Sequence, residues 1–204
     1  MNAGGTGPAL LVATSNRGKL AEFGRLLPPG VRIRSLADEG VTMPEETGAT
    51  FAENARLKAL AGARQSGLPT IADDSGIAVE ALGGAPGIRS ARYAGEPASD
   101  ARNRAALLAA LAAAPEGGRA ARFVCAVAVA TPEGIWAEAE GVCEGSVGFT
   151  ERGEHGFGYD PLFVLPDGRT MAELTPGEKD RTSHRGTAYR AILPALERLL
   201  ETRR

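Results

Sequence analysis

The chain has 204 residues, 43% of them hydrophobic and 24% charged, with a net charge of −2. That length favours one domain with a sizeable core, and the near-neutral balance leaves no basic excess to hold a nucleic-acid backbone. Cys125 and Cys143 are too few for a disulfide framework and stand in no metal-ligand spacing. The longest apolar run, Ala105–Ala114, stops at Pro115, far short of a membrane span. Met1–Pro8 lacks the basic and apolar regions of a signal peptide. It reads as a flexible Gly-rich tail before a single domain over 9–204, and the expected location is cytoplasmic.

Ala9–Ala13 is a short continuous apolar run, the pattern of a buried central strand. Thr14-Ser15-Asn16-Arg17-Gly18-Lys19 follows, and Leu20, Phe23 and Leu27 then mark one face of a helix. A polar, glycine-containing turn between strand and helix aims backbone N–H groups and the helix dipole at one point. That suits an anion, with Lys19 adding charge; the same residues also read as an Asn or Ser N-cap beside a solvated lysine. The GxxxxGK[ST] spacing of a P-loop is missing. Pro28–Gly30 closes the helix, and Val31–Ser35 alternates as a strand with one wet face. Glu45-Glu46-Thr47-Gly48 puts an acid pair on a loop, either to favour the coming helix N-terminus or to supply a metal oxygen. Thr50-Phe51-Ala52-Glu53 reads as a capping box opening a helix to about Ser66. Asn54 and Lys58 share one face of it, and Phe51, Ala55 and Ala59 another.

Pro69-Thr70-Ile71-Ala72 is a short apolar strand expected to end at Asp73-Asp74-Ser75-Gly76. The chain would turn out of a sheet there, where ligands of open α/β sheets gather. Gly83-Gly84-Ala85-Pro86-Gly87 is a second turn, with Arg89, Arg92 and Tyr93 behind it. Acids for a metal, glycines for close backbone approach and arginines for an anion together suggest phosphate chemistry.

Ser99 caps a helix from Asp100 to about Ala114, with Leu107, Leu108 and Leu111 inward. Phe123–Ala130 is apolar on both faces, as in an interior strand. Thr131–Gly134 turns it into Ile135–Glu140, whose alternation makes a hairpin with one covered face and sets Trp136 at a sheet edge or subunit contact. Glycines then punctuate the chain from Gly141 to Gly158. In Gly156-Phe157-Gly158-Tyr159-Asp160-Pro161, the two aromatics form either a platform for a base or a packed turn. The apolar strand Leu162–Leu165 and a short element at Met171–Leu174 follow. Glu178–Gly186 gathers Lys179, Arg181, His184 and Arg185 ahead of a last helix from about Ser183 to Glu201. Ala188, Ile192, Leu196 and Leu199 stripe that helix, and Pro194 should kink or break it. Cations at a helix start oppose its dipole, a cost that suggests an anionic or polar ligand.

Taken in order, Ala13–Lys19, Glu45–Gly48, Ala72–Gly76, Gly83–Tyr93, Gly156–Pro161 and Ser183–Gly186 resemble the inosine triphosphate pyrophosphatase family, the XTP/dITP diphosphatases. The resemblance runs from Leu10 to about Leu200. Each motif is weak alone and the ordered set is specific; Ser15 stands where many members carry glycine. The resemblance implies an α/β fold with a long mixed central sheet flanked by helices, two lobes and a nucleotide-binding cleft between them. It also implies a homodimer and a Mg2+ requirement; the charge balance and the short apolar runs add the expectation of no nucleic-acid and no membrane partner. The implied reaction hydrolyses non-standard purine nucleoside triphosphates (ITP, dITP, XTP) to the monophosphate and pyrophosphate.

By family position, Asp74 resembles the catalytic acid that accepts the water proton and helps hold the metal, and Glu46 its metal partner. Thr14, Ser15, Asn16, Arg17, Gly18, Lys19, Ser75 and Lys179 resemble phosphate-side contacts. Phe157, Gly158, Tyr159, Asp160, His184 and Arg185 resemble the base and sugar side. Asp73, one residue along, is expected to face the other way and matter less than Asp74. A non-catalytic purine-nucleotide-binding regulator and a phosphotransferase are the alternatives. The intact Glu46, Asp74, Lys19 and Lys179 argue against the first, and the missing P-loop and kinase motifs against the second.

Overall fold

Six strands and six helices organise residues 7–114 and 118–203, the residues that this computed structural model describes. The strands are β1 Ala9–Val12, β2 Arg32–Arg34, β3 Thr70–Val79, β4 Ala120–Thr131, β5 Gly134–Val147 and β6 Phe163–Val164, in the order β2-β1-β3-β4-β5-β6. β1 runs parallel to β2 and β3, whereas β5 and β6 are antiparallel, so the sheet is mixed and the class α/β. The helices are α1 Arg17–Leu26, α2 Leu36–Glu39, α3 Phe51–Ser66, α4 Asp100–Ala110, α5 Pro176–Thr182 and α6 His184–Glu201. Among the described residues no helix is long and apolar enough to cross a membrane. The expected tail lies, up to Thr6, outside the described residues, as does Pro115.

The chain divides into two compact units, one of Met1–Asp74, Ala126–Gly141 and Ala188–Arg204, the other of Ser75–Cys125 and Val142–Thr187. In the first, Ala55, Ala59 and Ala63 of α3 pack on Ala13, Ala72, Ala126, Ala128 and Ala130. Small side chains on both surfaces let helix and sheet approach closely. At Gly62 a Cβ would stand 2.8 Å from the Thr70 methyl and 3.1 Å from Leu11. Thr50 caps α3 as expected, accepting from the Glu53 N–H at 3.2 Å. The capping box is only half made, because the Glu53 carboxylate takes the Ala49 N–H. The wet face of β2 is narrow: all three of its residues are half-buried, although the Arg34 side chain stays 40% exposed. Arginine stems cover apolar surface there while the heads pair, Arg32 with the Gly7 carbonyl and Arg34 with Glu39. The α6 stripe is buried as expected, and the helix runs through Pro194 without a break.

The second unit is built on Leu107, Leu111, Phe123, Leu162, Phe163, Met171 and Leu174, with Cys143 inside it. Neither cysteine forms a disulfide, and both are buried. Several boundaries differ from those expected. β3 does not end at Asp73–Gly76 but continues through these residues to Val79. Buried partners replace the water that a charged strand residue would otherwise need. β5 likewise runs through Gly141 and Gly145 to Val147. A Cβ at Gly145 would sit 2.5 Å from the Val164 carbonyl oxygen, so glycine there admits the neighbouring strand instead of ending this one. That neighbour, β6, is two residues rather than four. α4 stops at Ala110, short of Ala114, and Leu108, half-buried, packs against the core as expected.

α5 was not anticipated. Thr175 is its N-cap, Pro176 its first residue, and Glu178 completes a capping box. Lys179 and Arg181 therefore lie in a last turn, where the dipole favours cations, and the cost read into a basic helix start is absent there.

Candidate active site

Successive strand residues face opposite sides of a sheet, and the two acids of β3 accordingly have different partners. Asp73, 1% exposed, pairs with Lys19 of α1, whose Nζ lies 3.0 Å from Oδ2. Asp74 shares the α3 side with Ala72. Asn54 Nδ2 donates to its Oδ2 at 3.0 Å and Lys58 Nζ to its Oδ1 at 3.1 Å. The same ammonium donates to Glu46 Oε1 at 2.8 Å, so two carboxylates converge on one cation. Asn54 also fixes the acidic loop, its Oδ1 accepting from the Gly48 N–H at 2.8 Å. Burial pushes the Asp74 carboxyl above the usual carboxylate range, with Lys58 and Lys19 pulling against it. At Lys58 burial opposes the charge, but Asp74, Asp73 and Glu46 outweigh it and raise the ammonium.

The Thr14–Lys19 turn resolves into part of each reading. Asn16 is the N-cap, accepting from the Lys19 N–H at 3.1 Å, and Thr14 Oγ1 accepts from the Asn16 N–H at 3.2 Å. Lys19 is not solvated, its side chain being 13% exposed and paired. Ser15, Asn16 and Arg17 are exposed and Gly18 half-buried at the start of α1.

A second cluster lies in the other unit. Phe157 is half-buried, with Lys179 Nζ 4.7 Å and the Arg185 guanidinium 5.6 Å from its ring centre. Both separations are within cation–π range. Asp160 Oδ2 accepts from Lys179 Nζ at 2.5 Å and from the Phe157 N–H at 2.9 Å. Arg185 Nη2 donates to Ser75 Oγ at 2.8 Å. His184 is stacked on Phe123, ring centres 4.7 Å apart. The two aromatics of the turn part company: Tyr159 is 5% exposed and donates its hydroxyl to the Ser90 carbonyl at 2.8 Å, leaving only Phe157 as an accessible plate. Lys179, expected on the phosphate side, is thus gathered with Phe157 and Asp160. Arg89 and Arg92, read as anion contacts, are exposed.

The sequence profile described as the Ham1 family matches residues 10–195. The chain belongs to the Ham1 family. A relative from Geobacillus kaustophilus, named dITP/XTP pyrophosphatase, is 53% identical over 182 residues, 88% of this chain and 89% of that protein. A HAM1 protein from Coxiella burnetii has a solved structure that matches with a TM-score of 0.84 at 41% identity, covering 94% of this chain and 99% of that one. A nucleoside-triphosphatase (dITP/XTP pyrophosphatase) from Mycobacterium abscessus matches at a TM-score of 0.72 and 49% identity, over 91% and 99% of the two chains. The family is the one to which the ordered motifs pointed, and the match spans both clusters.

Asn54 and Lys58 are the residues of this Ham1-family site to which the sequence assigned no role. Their signal was present: a polar pair at i, i+4 on a helix otherwise lined by alanine, for which burial at 2% and 8% demands a partner.

Proposed function

We propose that the protein is a Mg2+-dependent pyrophosphatase of non-standard purine nucleoside triphosphates, acting in the cytoplasm as a homodimer and yielding the monophosphate and pyrophosphate. Its membership of the Ham1 family and its relatives' activity support the reaction. The observation that carries the chemistry is the convergence of Glu46 and Asp74 on a single cation, the Lys58 ammonium.

That donor set fits magnesium. Among the described residues no three His, Cys, Asp or Glu side chains gather to cage an ion. Magnesium needs no such cage, taking one or two carboxylates and completing its octahedron with water and phosphate oxygens. Glu46 and Asp74 would hold it, and there it would neutralise phosphate charge and lower the pKa of a water. Asp74 would take the proton from the attacking water as the general base. Lys58 beside Asp74 and Lys19 beside Asp73 would offset charge on the departing pyrophosphate. Arg17 and Gly18 at the N-terminus of α1 add N–H groups for phosphate oxygens. Phe157 stacks on the purine, and Arg185, a donor only, meets a keto oxygen at C6 that adenine lacks.

A panel of dITP, XTP, ITP, GTP and ATP with Mg2+, scored for pyrophosphate against orthophosphate, tests the reading. The expected result is pyrophosphate from the first three and very little turnover of ATP. Tight binding of the same nucleotides without any hydrolysis would replace the enzyme by a regulator.

A further inference from the structure

The turn that carries Phe157 is held from below by α4. Asp100 Oδ2 accepts from the Gly158 N–H at 2.7 Å, and Arg104 Nη1 donates to the Gly158 carbonyl at 2.9 Å. These two side chains stand one helical turn apart and take both polar groups of one residue. Arg104 is itself steadied by Glu151 Oε1, 2.9 Å from its Nε. α4 is fixed in turn through Asn103, which accepts from the Ala94 N–H and donates to the Ala91 carbonyl, both at 2.8 Å.

The fastening matters because of the turn's composition. Gly156 and Gly158 both adopt left-handed backbone, at φ +81° and +61°. Glycine reaches that region freely and leaves it as freely. An unfastened turn would have to be ordered when a ligand binds, at the expense of affinity. Here the Phe157 N–H goes to Asp160, the Asp160 N–H to the Phe157 carbonyl, and both Gly158 groups to α4. The ring is presented already in place.

We propose that Asp100 and Arg104 are positioning residues that preorganise Phe157 as the stacking plate for the purine, so that their contribution falls on substrate affinity and not on the chemical step. This rests on the reading of Phe157 as the base contact. It assigns α4 a role in a site that none of its own side chains enters.

The test is steady-state kinetics with dITP on the full chain, beside thermal unfolding of each variant. Asp100→Ala and Arg104→Met are expected to raise KM about five- to tenfold, the net loss of one hydrogen bond, with kcat within about twofold of wild type. Asp100→Asn keeps an oxygen that accepts from the Gly158 N–H and is expected to restore most of the KM lost in Asp100→Ala. A wild-type KM in both Asp100→Ala and Arg104→Met overturns the proposal, as does a fall in kcat with KM unchanged. Asp100→Asn behaving like Asp100→Ala also overturns it, since charge and not the hydrogen bond would then matter. Should Asp100→Ala fail to fold, Arg104→Met decides; failure of both to fold makes the pair a scaffold of the whole unit and rejects the assignment. Phe157→Ala is the control. If it raises KM while the clamp variants do not, only the clamp falls; if it leaves KM unchanged, the base reading falls and the clamp with it.

Discussion

Asn54 and Lys58 donate to the two oxygens of Asp74, so Asp74→Asn keeps the volume but removes the charge and one acceptor, while Glu46 still pairs with Lys58. That variant is expected to melt near wild type and to lose about 10²- to 10⁴-fold in kcat, the range of a positioned acid–base group. Pyrophosphate release beside a thermal melt checks it, and near wild-type turnover would remove Asp74 from the centre of the reaction. Asp73 behaves differently because it is wholly buried against Lys19. Asp73→Asn leaves a half-buried ammonium without its counter-charge, at a cost near the lower end of that for broken buried pairs, about 3 kcal/mol. A larger stability loss than in Asp74→Asn is therefore expected from denaturant titration of the two proteins. Cys143 gives a pH dependence of its own. Burial, with a smaller push from Glu144, raises its thiol from 9.0 to about 11. The folded state then keeps a proton that the unfolded chain releases, so this thiol's contribution to stability is intact below pH 9.0 and is lost as pH rises towards about 11. Iodoacetamide should leave Cys143 unmodified at pH 7.5 in the native protein, as mass spectrometry would read; rapid native alkylation would contradict the burial.

At the scale of elements, the segments that sequence placed well are those whose apolar period is uninterrupted: β1, α1, α3, the β4–β5 hairpin and α6. The misplaced boundaries share one physical origin, in that the residue that signals a break in isolation is tolerated when a neighbour supplies what it lacks. Asp73–Gly76 stays in β3 because Lys19, Asn54, Lys58 and Arg185 answer its polar groups. Gly145 stays in β5 because β6 takes the space of its side chain. Gly145→Ala should accordingly destabilise by about 2 kcal/mol or more through overpacking against the Val164 carbonyl and the Phe163 ring. An unchanged melting temperature would show that β6 can yield. α5 was legible in principle, since Thr175-Pro176-Gly177-Glu178 carries both an N-cap with its reciprocal acid and a proline at the first helical position. The site was less legible than the fold. Sequence named Glu46, Asp74, Phe157 and Arg185 and left a trace of Asn54 and Lys58 as a polar pair among alanines, but Asp100 and Arg104 become recognisable only once tertiary contacts give them partners.

For the whole molecule, the sharpest remaining expectation is assembly. Most large apolar side chains are buried, yet Trp136 is 47% exposed and Phe149 60%, with Leu57, Ile88 and Val142 also open. On β5 the exposed positions alternate, so Trp136, Glu138, Glu140 and Val142 share its outer face. The indole is tethered, Nε1 donating to the Ala195 carbonyl at 2.9 Å, so its ring is held out as a fixed surface at little further entropic cost. Aromatic side chains presented in this way are characteristic of the centres of protein interfaces. Sedimentation is expected to find a species of twice 21.1 kDa at micromolar concentration. Trp136 is the only tryptophan in the chain, so its emission reports directly on that face. Dilution should shift the emission to the red in step with the fall in sedimentation coefficient. Trp136→Glu would bury an unpaired charge in such an interface and should give a folded monomer with an unchanged melting transition at low concentration. A stable monomer of the unmodified protein would dismiss the dimer; a dimer whose tryptophan emission ignores dilution would move its interface away from this face of β5.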